Sequence, residues 1–97
     1  MRYNTPMLSV RRLIWDAWNV AHIARHRVIS EEVEEVCHGQ PSTSETYKGR
    51  IRVVGLTRSG RMLTVILAPT PETGVYYPIT ARPADRKERR TYREEHP

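Results

Sequence analysis

The chain has no phenylalanine and one cysteine, Cys37. One thiol cannot make an internal disulfide, so the fold must rest on a packed core, and Cys37 reads as part of that core in a reducing compartment. No apolar run approaches the roughly 20 residues that a membrane-spanning helix requires, and no secretory leader is visible, so no membrane role and a cytoplasmic location are expected. Metal chemistry also lacks its parts: His22 and His26 are spaced i, i+4, but neither an H-E-x-x-H pattern nor a second cysteine accompanies them. No metal and no cofactor are therefore expected. Internal repeats and low-complexity segments are absent. Two local absences are informative: residues 28–40 hold no Lys or Arg beside Glu31, Glu32, Glu34 and Glu35, and residues 47–61 hold no acid beside Lys48, Arg50, Arg52, Arg58 and Arg61. One acidic and one basic surface are expected.

What is present suits one domain. Ninety-seven residues divided in two would leave neither half able to bury enough surface, and 38% apolar with 28% charged residues is a globular composition. A formal charge of +5 and a pI near 9.9 point to an anionic partner, either nucleic acid or an acidic protein segment.

Residues 1–10, with Pro6, read as an irregular lead-in. Arg12 to Trp15 is a short strand candidate, and Asp16 is a plausible N-cap for a helix to about Arg25 or His26, with Trp15 and Trp18 read as core. Ser30 is expected to cap a second helix whose apolar stripe is Val33, Val36 and Cys37, ending at Gly39. Gln40 to Glu45 reads as a loop. The period then shifts to strands: Ile51 and Val53 alternate with Arg50 and Arg52, Thr57 to Gly60 turns, and Met62 to Leu67 is the central strand. A third strand runs from Val75 to Ala81, with Pro78 marking an edge or a bulge. Simple alternation puts Tyr76, Pro78, Thr80 and Arg82 on one face. The expected fold is α+β, an antiparallel sheet packed with two N-terminal helices and a C-terminal helix. Val33, Val36, Cys37, Ile51, Val53, Leu63, Val65 and Leu67 form its expected core.

The final stretch, I-T-A-R-P-A-D-R-K-E-R-R-T-Y from Ile79 to Tyr92, reads as a strand breaking at Pro83 into a charged helix. That puts Arg82 near a helix N-terminus, where anions are favoured. Helical spacing places Ala84, Glu88 and Tyr92 on one face with Lys87 beside them, and Arg86, Arg89, Arg90 and Arg93 on a basic stripe. So little apolar material implies that the polar side chains have a task.

W-D-x-W-N at Trp15 to Asn19, R-H-R-V at Arg25 to Val28 followed by S-E-E-V-E-E, G-L-T-R-S-G-R-M-L-T-V from Gly55 to Val65, and the Ile79 to Tyr92 block together resemble the BrnT toxins of bacterial type II toxin-antitoxin systems. The resemblance covers about residues 12–93. It implies a RelE-like fold, metal-independent RNA cleavage, and a BrnA-like antitoxin partner that alone contacts DNA. The family pattern usually has glycine after the histidine, where a left-handed backbone is wanted; here Arg27 stands in its place.

Cleaving RNA without a metal needs a base for the 2′-hydroxyl, an acid for the leaving oxygen, and cations on the phosphate. Glu88 or His26 could be the base. Arg61, Arg82 and Lys87 are the cation candidates, and Tyr92 could orient the phosphate or protonate the leaving group. Arg50, Arg52, Arg86 and Arg90 are the expected RNA-binding residues, with Arg50, Arg52, Arg61 and Arg82 forming one basic surface. The bland alternatives are salt bridges to the acidic helix for these cations and partial burial for Tyr92. Two other readings stay open, a non-catalytic basic module that binds nucleic acid or protein and a regulatory subunit that works only in a complex.

Overall fold

The computed structural model describes residues 8–97; of the lead-in, residues 1–7 lie outside the described residues. The elements follow in the order β1 (Arg12–Leu13), α1 (Ala17–Ala24), α2 (Ser30–Cys37), β2 (Ser42–Glu45), a 3-10 turn (Tyr47–Gly49), β3 (Ile51–Leu56), β4 (Met62–Pro69), β5 (Val75–Pro83) and α3 (Arg86–Glu95). Among the described residues this is a small α+β fold with three helices and a five-stranded sheet in the order β1-β5-β4-β3-β2. No helix among the described residues is long and apolar enough to cross a membrane.

The sheet is mixed rather than antiparallel throughout, because β1 pairs in parallel with β5 while the other pairs run antiparallel. Gly74 makes the parallel entry possible. Its carbonyl accepts from the amides of Arg11 at 2.8 Å and Arg12 at 3.2 Å. Its φ is +83°, and a Cβ there would lie 2.8 Å from the Arg11 side chain. Just upstream, Leu8 and Val10 pack on the core, so the end of the expected lead-in is anchored.

β2 replaces the loop expected over residues 40–45. Its S-T-S-E sequence has neither apolar alternation nor β-branched density, and it is a strand because it completes an edge against Val54 to Ile51 of β3. Pro78 marks a bulge. Thr80 pairs with Ile66 but Pro78 pairs with Leu67, leaving Ile79 as the extra residue and moving Pro78 to the buried face. The expected grouping of Pro78 with Thr80 and Arg82 is corrected accordingly.

Leu63, Val65 and Leu67 on β4, with Val53 and Ala81 beside them, meet Ile23, Val28, Val33, Val36 and Cys37 of the N-terminal helical layer in one core. Ile51 is half-buried against it. Burial pushes the Cys37 thiol up to about 12, with the Glu34 charge adding to the effect, so it is an inert packing group. Asp16 caps α1 through a capping box with Asn19, whose amide donates at 2.9 Å. Asn19 is fully buried and fully used: its Nδ2 donates to the carbonyls of Ile14 and Pro78, tying α1 to the end of β1 and to the bulge. Trp15 packs on the core and donates to Glu34 at 2.9 Å. Trp18 does not join the core; it is 56% exposed and lies stacked on His22 at 4.7 Å. Ile29, rather than Ser30, is the N-cap residue of α2, because Glu32 reaches back to the Ile29 amide.

Arg27 ends the α1 turn at φ 61°, the left-handed conformation expected of glycine there. Arg27→Gly is therefore expected to raise stability by about 1 kcal/mol, since it relieves the Cβ strain and keeps the backbone carbonyl that Arg61 uses. A denaturant midpoint unchanged or lowered by the substitution would refute this.

Candidate functional site

Strand alternation decides which arginines share a face. Residues 63, 65 and 67 of β4 point to the α1–α2 core, so Thr64 points to the other side, where its hydroxyl donates to Glu88 of α3 at 2.8 Å. Val54, Thr64 and Arg82 form one row across the sheet, and Arg52, Ile66 and Thr80 form the next. α3 lies over these rows.

The helix starts later than Pro83. Pro83 closes β5, Asp85 is the N-cap, and Asp85 and Glu88 exchange a capping box at 2.8 and 2.9 Å. Arg82 is therefore a strand residue facing the first turn of α3, and its phosphate-holding position at a helix N-terminus is corrected to a position beside one. Its guanidinium is held by Glu88 through two parallel bonds of 2.8 Å each. Arg52 Nε stands 3.8 Å from the same carboxylate. The side chain of Glu88 is 11% exposed. Burial raises its proton affinity, but the Arg82 bonds, the Asp85 amide, the Thr64 hydroxyl and the Arg82 charge outweigh that and hold it down at about 2. The pull is mutual, since the Glu88 bonds raise the Arg82 guanidinium against the opposing effect of burial.

The other candidates fall into three places. Lys87 and Tyr92 line a groove of about 240 Å³ between α3 and β2, next to the Arg82–Glu88–Arg52 cluster. Tyr92 is stacked on His96 at 4.0 Å. Arg86 and Arg90 are exposed and, with Arg89 and Arg93, line a separate outward-facing basin on α3. Arg50 sits where the 3-10 turn meets β3, with its amide donating to Tyr47 and its carbonyl accepting from Thr46.

Arg61 and His26 are elsewhere. Arg61 lies on the α1–α2 side of the sheet, where its Nη1 donates to the Arg27 carbonyl at 2.7 Å and to Glu32 at 3.1 Å, while Nη2 reaches the His26 carbonyl at 3.4 Å. It closes the C-terminal end of α1 by satisfying carbonyls that the helix leaves unpaired. The single basic surface expected of Arg50, Arg52, Arg61 and Arg82 is thus divided, because Arg61 and Arg82 occupy opposite faces. Separate acidic and basic surfaces are also corrected: Glu32 pairs with Arg61, and Glu35 accepts from the Arg58 amide at 3.0 Å and faces its guanidinium at 3.7 Å.

Three residues of this site escape a reading by charge alone. Thr64 was visible as the one polar residue in the apolar run of β4, and Asp85 as the first member of a D-x-x-E capping pattern. Ser42, which also lines the groove between α3 and β2, carried no signal, since its place depends on β2 being a strand. Among the described residues no group of three or more His, Cys, Asp or Glu side chains is placed to hold a metal ion. What the cluster can do chemically is present guanidinium donors: Arg82 has five N–H groups, and Glu88 and the Pro83 carbonyl leave part of that fork free for an oxyanion. No protein-family model and no curated protein matches this sequence.

Proposed function

We propose that this chain binds single-stranded RNA across α3 and the sheet rows beneath it, and cleaves it without a metal, as a BrnT-like, RelE-like ribonuclease toxin. The observation that carries the reading is the pairing of Arg52 and Arg82 around one buried carboxylate, under a helix whose outer side is a stripe of arginines. Arg82 holds the scissile phosphate, and Glu88 fixes its orientation. With its proton affinity so low, Glu88 serves as a positioning residue rather than as the base. The 2′-hydroxyl gives its proton to water as its oxygen attacks phosphorus, the bond to the 5′-oxygen breaks, and Lys87 or Tyr92 from the adjoining groove supplies the leaving oxygen with a proton. The stripe Arg86, Arg89, Arg90 and Arg93 tracks the flanking backbone. An intracellular nuclease must be silenced, and a BrnA-like antitoxin that lays acidic or acceptor groups over this face would do so.

A second reading, a non-catalytic RNA-binding module, is favoured by the Glu88 proton affinity and by the placement of His26 on the opposite side of the sheet. One experiment separates the two. Purified chain incubated with single-stranded RNA in excess chelator is expected to produce 2′,3′-cyclic phosphate ends and to leave DNA, which lacks the 2′-hydroxyl, intact. Intact RNA that is nonetheless bound would establish the second reading, and RNA neither bound nor cut would refute both.

A further inference from the structure

The buried side-chain polar atoms left without a hydrogen-bond partner among the described residues are Ser42 Oγ and Arg52 Nε. Both belong to residues that line the groove between β2 and α3. Buried polar atoms are normally paired, so two unpaired ones in the walls of one groove point to a ligand there. The strand register puts them side by side: Ser42 pairs with Val54 and Ser44 with Arg52, so the two serines, Val54 and Arg52 all face α3. Arg52 Nε keeps Glu88 at 3.8 Å, close enough for charge attraction and too far for a hydrogen bond.

The chemistry of the groove selects its occupant. Arg52 and Lys87 are matched by Asp85, Glu88 and Glu95, so a free anion gains little net attraction. Tyr92 supplies an aromatic wall, held by the stacked His96, whose Nδ1 lies 2.9 Å from the Tyr92 carbonyl oxygen. At about 240 Å³ the groove is smaller than the roughly 300–1,000 Å³ that encloses drug-sized ligands, and suits one ring system. A flat, neutral ring system with hydrogen-bonding edges meets all three conditions.

We propose that this groove receives a single nucleobase of an RNA strand lying along α3, with Ser42 and Arg52 reading its edge and Tyr92 against its ring. The proposal deepens the RNA-binding reading above and rests on it. Ser42 and Arg52 engage the base by a turn of the serine about χ1 and a small slide of the guanidinium, which bring their closed-off atoms to the groove. An arginine offers donors only, so guanine, with acceptors at O6 and N7, is favoured over adenine, whose N7 lies beside a donor amino group.

The test has two arms on the full chain. In the first, guanosine and adenosine are titrated while the Ser42 amide and the Tyr92 ring are followed by NMR. Guanosine is expected to shift both and to bind about 10-fold more tightly than adenosine. In the second, uridine heptamers with one central nucleotide varied are bound to wild type and to Ser42→Val, a substitution that suits an edge strand. Ser42→Val is expected to abolish the guanine preference by lowering the affinity of the guanine-centred heptamer to that of the others, while the heptamers without guanine stay within about threefold because phosphate contacts dominate their binding. Heptamers that bind without preference, with nucleosides that shift neither residue, would overturn the base pocket and leave the RNA reading standing. Nucleosides that bind as expected while heptamers do not bind would overturn the RNA reading and leave the pocket as a nucleoside site. Binding in neither arm would overturn both.

Discussion

Glu88→Ala is expected to release α3 from the sheet, lowering stability by about 2–3 kcal/mol and removing amide protection over residues 86–95. The helix buries no residue of its own, so it lacks the apolar face that docks most surface helices. Glu88 instead bonds Arg82 twice, Thr64 once and the Asp85 amide once. Removing it strands the fully buried Thr64 hydroxyl and leaves a guanidinium without its partner. The figure lies at or below the lower limit of the roughly 3–5 kcal/mol for breaking a buried ion pair because Arg82 still reaches water. The acid dependence has a definite sign. The folded-state proton affinity of Glu88, about 2, is below its ordinary value of 4.5, so its contribution is complete above pH 4.5 and is lost as pH falls from there through about 2. Glu88→Gln should lack that component of the acid transition. Hydrogen exchange and acid titrations check both expectations, and full protection of α3 in Glu88→Ala would show that something else docks the helix.

Arg82→Ala is expected to reduce the rate of RNA cleavage in chelator by about 100-fold or more, the scale on which a single donor to a developing oxyanion matters. Arg93→Ala, on the outer stripe, should instead weaken binding and reduce the slope of log affinity against log salt by about 0.7 for a single strand. Arg82→Lys controls for folding, since it keeps a charge beside Glu88 while losing the two-pronged geometry; it should remain folded and still lose most of the rate. Cleavage by Arg82→Ala at the wild-type rate, with contaminating nuclease excluded, would remove Arg82 from the chemistry.

The parts of this fold that were legible in sequence are those where local chemistry and burial agree. Asp16 with Asn19, the Val33, Val36 and Cys37 stripe, and the apolar β4 are such places. Pro78 announced its bulge but not the consequence, because one extra residue reverses the face of everything on one side of it. β2 was illegible because S-T-S-E has no pattern of its own; only the neighbouring strand makes it one. Pro83 drew the start of α3 forward, although the D-x-x-E pattern two residues later located it better. Trp18 was read as core from its size, yet its position on α1 turns it outward. The site was half legible: the proximity of Arg82, Lys87 and Glu88 follows from chain connectivity, whereas the arrival of Arg52 beside them, and the separation of Arg61 from them, depend on strand register.

The parallel pairing of β1 with β5 also has a consequence for the order in which this chain can fold. β3 and β4 form a hairpin from neighbouring residues, but β1 must wait for a strand near the other end, and the Asp16–Tyr77 bonds that accompany it span 61 positions. During synthesis the two N-terminal helices therefore leave the ribosome without the sheet they are to cover. They stay poorly protected until β5 has emerged, because short helices are marginal without tertiary support. Closure of the first strand onto the last is the high-entropy step, which predicts refolding slower than that of a helical bundle of equal length and a transition state sensitive to Gly74 and Asn19.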